Sequence, residues 1–90
     1  MAEATTEVQV VQPAIIKHPG IVGGEPVVEG TRVPVRSVVI LMQAYASAAE
    51  VYDALRTLPP GGVEAAMAYY AAHPAEIDAL IDANEEERWG

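Results

Sequence analysis

Gly20-Ile21-Val22-Gly23-Gly24-Glu25-Pro26-Val27-Val28-Glu29-Gly30-Thr31-Arg32-Val33-Pro34-Val35 is the stretch on which the fold turns. The β-branched residues Val27-Val28 and Val33/Val35 flank Glu29-Gly30-Thr31, which reads as a short hairpin with Gly30 supplying a positive φ. Pro26 and Pro34 cannot donate to a ladder, so these strands belong at an edge. Immediately after Pro34 the apolar spacing changes from a strand period to a helical one. The chain therefore reads as mainly α: a small tri-helical, helix-turn-helix-like domain with short N-terminal strands and a C-terminal amphipathic helix.

Working forward, Arg36 to Ala46 is a first helix with Val38, Val39, Met42 and Tyr45 on one face. Ile40 and Leu41 leave it little polar surface, which suits a central helix or one in an interface. Ser47-Ala48-Ala49-Glu50 has the form of a capping box and starts a second helix, to about Leu55. Arg56 to Gly62 is a turn rich in Pro and Gly. A third helix spans about Gly62 to Ala72, with Val63, Ala66, Met67 and Tyr70 inward. His73 precedes Pro74 and resists the helical region, which ends it. Pro74 opens a fourth helix to about Glu87, with an Ile77, Leu80, Ile81 stripe. Working backward, Val8 to Gln12 half-alternates as an edge strand broken by Pro13, and Ile15-Ile16 is a second apolar step. Residues 1–7 read as a disordered N-terminus, 8–73 as the helix-turn-helix-like domain with its strands, and 74–90 as an amphipathic helix with an acidic, partner-binding tail.

Ninety residues with no phenylalanine and many alanines build one modest core. Such a chain is expected to lean on a partner or on a dimer or higher homo-oligomer. The absence of cysteine removes disulfides and thiolate metal sites. No basic segment followed by an apolar run opens the chain, and Val38 to Met42 is its longest run of large aliphatic residues. A soluble, cytoplasmic protein is the expectation, with no membrane partner. The net charge of −8 is uneven. Residues 1–30 carry Lys17 against four glutamates, 31–73 are neutral, and 74–90 set Arg88 against six acids. An acidic chain is repelled by phosphate, and its acidic end suits a basic protein partner.

The chemistry-bearing side chains do not assemble a catalytic set. Gly20, Gly23, Gly24 and Gly30 lack the Gly-Lys-Ser/Thr of a phosphate loop and read as turn glycines. His18 and His73 fall short of the three ligands of a hydrolytic zinc site and read as capping or surface imidazoles. Ser37 and Ser47 have no neighbouring histidine, and Glu85-Glu86-Glu87 point to different helix faces. No catalytic residue, cofactor or metal is expected, and the chain reads as a non-enzyme. Arg32, Arg36 and Arg56 are candidate phosphate contacts, set against the alternative that they pair with local carboxylates. The third helix would be the reading helix of a helix-turn-helix, yet it opens with Gly61, Gly62, Val63 and Glu64, none of which favours base readout. Trp89 is a candidate interface anchor.

The Gly23 to Val35 stretch resembles the signature of a small prokaryotic family, domain of unknown function 433. Its members carry a Gly-Lys/Glu-Pro step, an apolar pair, then Gly-Thr-Arg-Ile/Val-Pro-Val. Here the matching residues are Gly24, Pro26, Gly30, Thr31, Arg32 and Pro34. His18-Pro19-Gly20-Ile21 and the Val63 to Ile77 segment fit as well, so the likeness spans roughly residues 15 to 84. Two positions depart from the pattern. Tyr45-Ala46-Ser47 stands where members have a glycine after the first helix. Arg56-Thr57-Leu58-Pro59 stands where members have Pro-x-Leu-Thr, so the third helix loses its usual threonine cap.

The resemblance implies a helix-turn-helix-like fold and the role of a VapB-like antitoxin that neutralises a PIN-like nuclease toxin, with operator DNA as a second partner. Toxins of that kind hold metal among carboxylates, where an inserted antitoxin arginine neutralises them. Arg88, beside Trp89, is the candidate, and Ile77, Leu80 and Ile81 supply the apolar contact to the toxin. The alternatives are a DNA-binding regulator without a toxin and a structural homodimer. Within the signature, the structural reading has Thr31 and Arg32 fixing the loop against the helices.

Overall fold

The computed structural model describes residues 13–89, with side chains through residue 84. The expected strand at Val8 to Gln12 lies outside the described residues. The elements run β1 (Ile15–Ile16), a 3-10 turn at Val22–Gly24, β2 (Val27–Val28), α1 (Val35–Tyr45), α2 (Ala48–Ala54), α3 (Gly62–Ala72) and α4 (Pro74–Trp89). The molecule is mainly helical, with a small two-stranded antiparallel sheet at its N-terminal side.

The sheet corrects the hairpin reading. β2 pairs with β1, Ile15 opposite Val28 and Ile16 opposite Val27. Val33 and Val35 do not form a strand. What remains of the expected hairpin is one bridge between Val27 and Pro34, with Val28 N–H on the Val33 carbonyl at 3.0 Å and Val35 N–H on the Pro26 carbonyl at 2.9 Å. Pro34 is the reason: it has no N–H to extend the ladder, and it serves as the N-cap of α1, extended at φ −76°. Gly30 takes the expected positive φ, +85°. The Thr31 hydroxyl donates to the Val28 carbonyl at 2.8 Å and accepts from Val33 N–H at 3.0 Å, which closes the turn.

The core is built largely of valine. Val28, Val35, Val38, Val39 and Val51 are fully buried, joined by Val33, Leu58, Val63, Ala66 and Ile77. α1 crosses the centre and packs on α2, α3 and α4, as its all-round apolar sequence requires. Tyr45, read as part of its inward face, is 44% exposed. It is the last residue of α1, one turn past Met42, where the core has ended. The next residue, Ala46, is left-handed at φ +57°. This is the conformation that glycine adopts at lowest cost, which fits the glycine that the resemblance implies at this place. Ser47 then accepts from Glu50 N–H at 3.3 Å and starts α2.

The start of α3 shows how the lost threonine cap is replaced. Gly61 holds the N-cap at φ +84° with no side-chain hydrogen bond of its own. The Tyr52 hydroxyl, from α2, accepts the Val63 N–H at 3.1 Å and donates to the Glu64 carboxylate at 2.8 Å. One phenol thus satisfies an orphan helix donor and ties α2 to α3. Gly62 is also tightly seated: a Cβ there would lie 3.0 Å from the Leu58 side chain.

Candidate functional site

The signature loop and α4 meet along an open groove of about 350 Å³, lined by Gly23, Gly24, Glu25, Pro26, Ala79 and Leu80, with Glu76 at its edge. Gly23 and Gly24 form its rim, within a run of three consecutive left-handed conformations at residues 22 to 24, φ +49°, +64° and +87°. Val22 is the unusual member, because a β-branched side chain rarely accepts positive φ. Glycine at the next two positions lets the chain reverse direction there and leaves that rim without side chains.

Two ion pairs hold the groove together. Arg36 Nε, on the first turn of α1, donates to both Glu25 oxygens at 2.8 and 3.1 Å, and both side chains are largely buried. The pair straps the signature loop to α1. On the other side Lys17 Nζ reaches the Glu76 carboxylate at 2.9 Å, and the Tyr69 hydroxyl donates to it at 2.7 Å. The Tyr69 ring stacks on His73, with centroids 4.4 Å apart. The bonds from Lys17 and Tyr69 hold the Glu76 carboxyl below the usual glutamate range, and the same carboxylate raises Lys17. Burial and the bond to Glu76 push the Tyr69 phenol up.

This cluster is expected to make the attachment of α4 pH-sensitive. A carboxylate with a depressed pKa in the folded state adds stability above its unfolded value of about 4.3, and that contribution is lost as pH falls through the lower folded value. Wild type should therefore lose stability from about pH 5 downward more steeply than Glu76→Gln, in parallel urea titrations followed by circular dichroism. Equal slopes would show that the cluster contributes nothing to acid sensitivity.

The remaining candidates separate. Ile77, assigned to a partner's surface, is fully buried in the core. Its position one turn into α4 faces α1 and α3, so it cannot contact a partner. The boundary drawn between residues 73 and 74 therefore cuts through the core, and the first two turns of α4 belong to the domain. Leu80 and Ile81 are half-buried against the same core, and Leu80 also lines the groove. The side chains of Arg88 and Trp89 lie outside the described residues. Arg36 has its Nε committed to Glu25, which leaves Arg32 and Arg56, both exposed, of the three candidate phosphate contacts. Arg32, expected to help Thr31 fix the loop, is exposed and makes no hydrogen bond among the described residues. His18 caps its own turn, accepting from Gly20 N–H at 3.0 Å. The sequence reading gave no role within the domain to Lys17, Tyr52, Tyr69 or Glu76, whose side-chain hydrogen bonds and ion pair span 7 to 59 residues.

A family model for a protein of unknown function, DUF433, matches residues 15–70, which takes in β1, the signature loop and nearly all of α3. The chain belongs to the DUF433 family. Among solved structures, the crystal structure of a DUF433 member protein from Anabaena variabilis matches with a TM-score of 0.70 and 32% identity, covering 79% of this chain and 70% of that one. A search of curated proteins finds no match. Within the DUF433 frame, the signature residues Gly30, Thr31 and Pro34 act here on the backbone: they make the turn, close it and start α1. Glu25, between signature positions, takes the strap to Arg36. The matched region stops before α4, so the groove joins the shared loop to an element beyond it.

Proposed function

We propose that this DUF433 chain is an antitoxin-like binding protein that grips a basic, PIN-like nuclease toxin through the distal part of α4. One observation carries the reading. Among the described side chains of α4, those that pack on the core end at Ile81, while the helix continues to Trp89. At about 1.5 Å per residue that is roughly 12 Å of helix beyond its last apolar anchor. Its sequence there sets Asp82, Glu85, Glu86 and Glu87 against Arg88. A helix end that carries concentrated negative charge suits a positively charged protein surface. Charge complementarity of this kind steers association and fixes orientation. Arg88 supplies a guanidinium for the carboxylates of a metal-binding nuclease centre, and Trp89 an aromatic anchor.

Protein is favoured over DNA as the direct partner on local grounds. The first residues of α3, the would-be reading helix, are engaged within the domain: Gly62 and Val63 are buried and Glu64 is bonded to Tyr52. Operator contact in this reading comes from the complex, with the partner supplying most phosphate contacts.

The test is growth of a bacterial host expressing the adjacent open reading frame, with and without this chain. The expected result is growth arrest by the neighbour and its relief by this chain. A harmless neighbour, or toxicity that the chain does not relieve, would remove the antitoxin reading.

A further inference from the structure

A second groove, of about 330 Å³, lies on α1 and α2 and is lined by Tyr45, Glu50, Asp53 and Ala54. Tyr45 is the exposed large apolar side chain of the described residues. Ala54 leaves the floor shallow and apolar. Glu50 and Asp53 are one helical turn apart and so share a face of α2. Neither carboxylate makes an ion pair or side-chain hydrogen bond among the described residues, and exposed Arg56, two positions past Ala54, pairs with neither. The groove also sits at the C-terminal end of α1, the negative end of its dipole, and the last turn of α1 contains no basic residue.

We propose that this groove is a seat for an arginine side chain of a basic protein partner. The charged side chains that line it, Glu50 and Asp53, are both carboxylates, and the C-terminus of α1 and the π system of Tyr45 add to their attraction for a cation. A flat guanidinium stacks on the ring and over Ala54 while its edge donates to the carboxylates. The compact, strongly hydrated ammonium of lysine gains less from a flat apolar floor. The seat rests on the proposed function only in taking the partner to be a basic protein; it lies on α1 and α2, apart from the acidic end of α4.

The experiment uses the full chain, isotope-labelled, titrated with blocked arginine (N-acetyl-arginine methylamide) and separately with blocked lysine. The Tyr45 ring and Ala54 methyl resonances are expected to move saturably with arginine and at least about twofold less strongly with lysine. Tyr45→Ala should weaken the Ala54 response about two- to fivefold, the scale of an exposed cation–π contact. Tyr45→Phe should preserve it, and Glu50→Gln with Asp53→Asn should diminish it while keeping the Ser47 cap. Triple replacement of Glu85, Glu86 and Glu87 by glutamine should leave the Ala54 response intact. Unmoved Tyr45 and Ala54 resonances, or equal responses to arginine and lysine, would overturn the seat. So would Tyr45 shifts that follow protein concentration without added ligand, since they place a second copy there. Failed growth rescue alongside an intact arginine response would remove the antitoxin reading and leave the seat standing.

Discussion

Ile77→Ala is expected to cost about 3–4 kcal/mol of folding stability, the largest effect of any single core truncation in this chain. The reason is composition. The core has no phenylalanine, and its fully buried members are otherwise valines, Ala66 and Pro26; Ile77 is the largest of them. It projects from α4 between α1 and α3, so it is the apolar bolt that holds α4 to the rest of the domain. Its removal forfeits the transfer energy of three carbons and opens a cavity that neighbouring valines, stiff at χ1, cannot collapse to fill. In a domain with a total stability of about 5 kcal/mol, such a loss leaves a substantial unfolded fraction at growth temperature. Thermal melts followed by circular dichroism should show a fall of roughly 15–25 °C. Ile77→Val should cost only about 1 kcal/mol. An unchanged melt for Ile77→Ala would mean that α4 is held elsewhere, through Lys17 and Tyr69 on Glu76.

The same residue shows what could and could not be read from sequence. The Ile77, Leu80, Ile81 spacing correctly announces an amphipathic α4, but spacing does not say what the apolar stripe faces. At Ile77 it faces the protein itself. The helices were legible because each carries its own local signals: Pro34 before α1, Ser47 before α2, Gly61 before α3 and Pro74 at the head of α4. The sheet was less so. Ile15-Ile16 and Val27-Val28 pair across a ten-residue connection, and a two-residue strand has no periodicity from which to infer a partner. Val33 and Val35 have strand-like chemistry, but Pro34 between them diverts the chain into α1.

The polar architecture was illegible for a related reason. Lys17 finds Glu76 and Tyr52 caps α3 only after the helices have packed. Arg36 illustrates the middle case. Pairing with a nearby carboxylate was the alternative to phosphate contact, yet Glu25 is eleven positions away and is brought close by the turn at Val22–Gly24. That turn converts a loop signature into a groove wall.

Ending the chain after Asn84 should abolish relief of toxicity while leaving the domain folded. Among the described residues of α4, those that pack on the core lie at or before Ile81, and Asn84 closes the described contacts of α4 by donating from Nδ2 to the Leu80 carbonyl at 2.8 Å. The shortened chain keeps Ile77 and the Glu76 cluster, so its melting temperature should fall by no more than about 5 °C, the loss expected of a frayed helix end. It loses Glu85, Glu86, Glu87, Arg88 and Trp89, the concentrated charge and the aromatic anchor on which the partner-binding reading depends. Two point variants of the full chain divide the effect. Glutamine at 85, 86 and 87 should slow association and flatten its salt dependence, because steering by opposite charge is a rate effect. Arg88→Ala should leave association fast but weaken the inhibited complex by about 2–5 kcal/mol, the cost of removing one partner from a desolvated charge pair. A folded, shortened chain that still restores growth would place the binding surface on the domain, where the Tyr45 groove is the acidic site already formed.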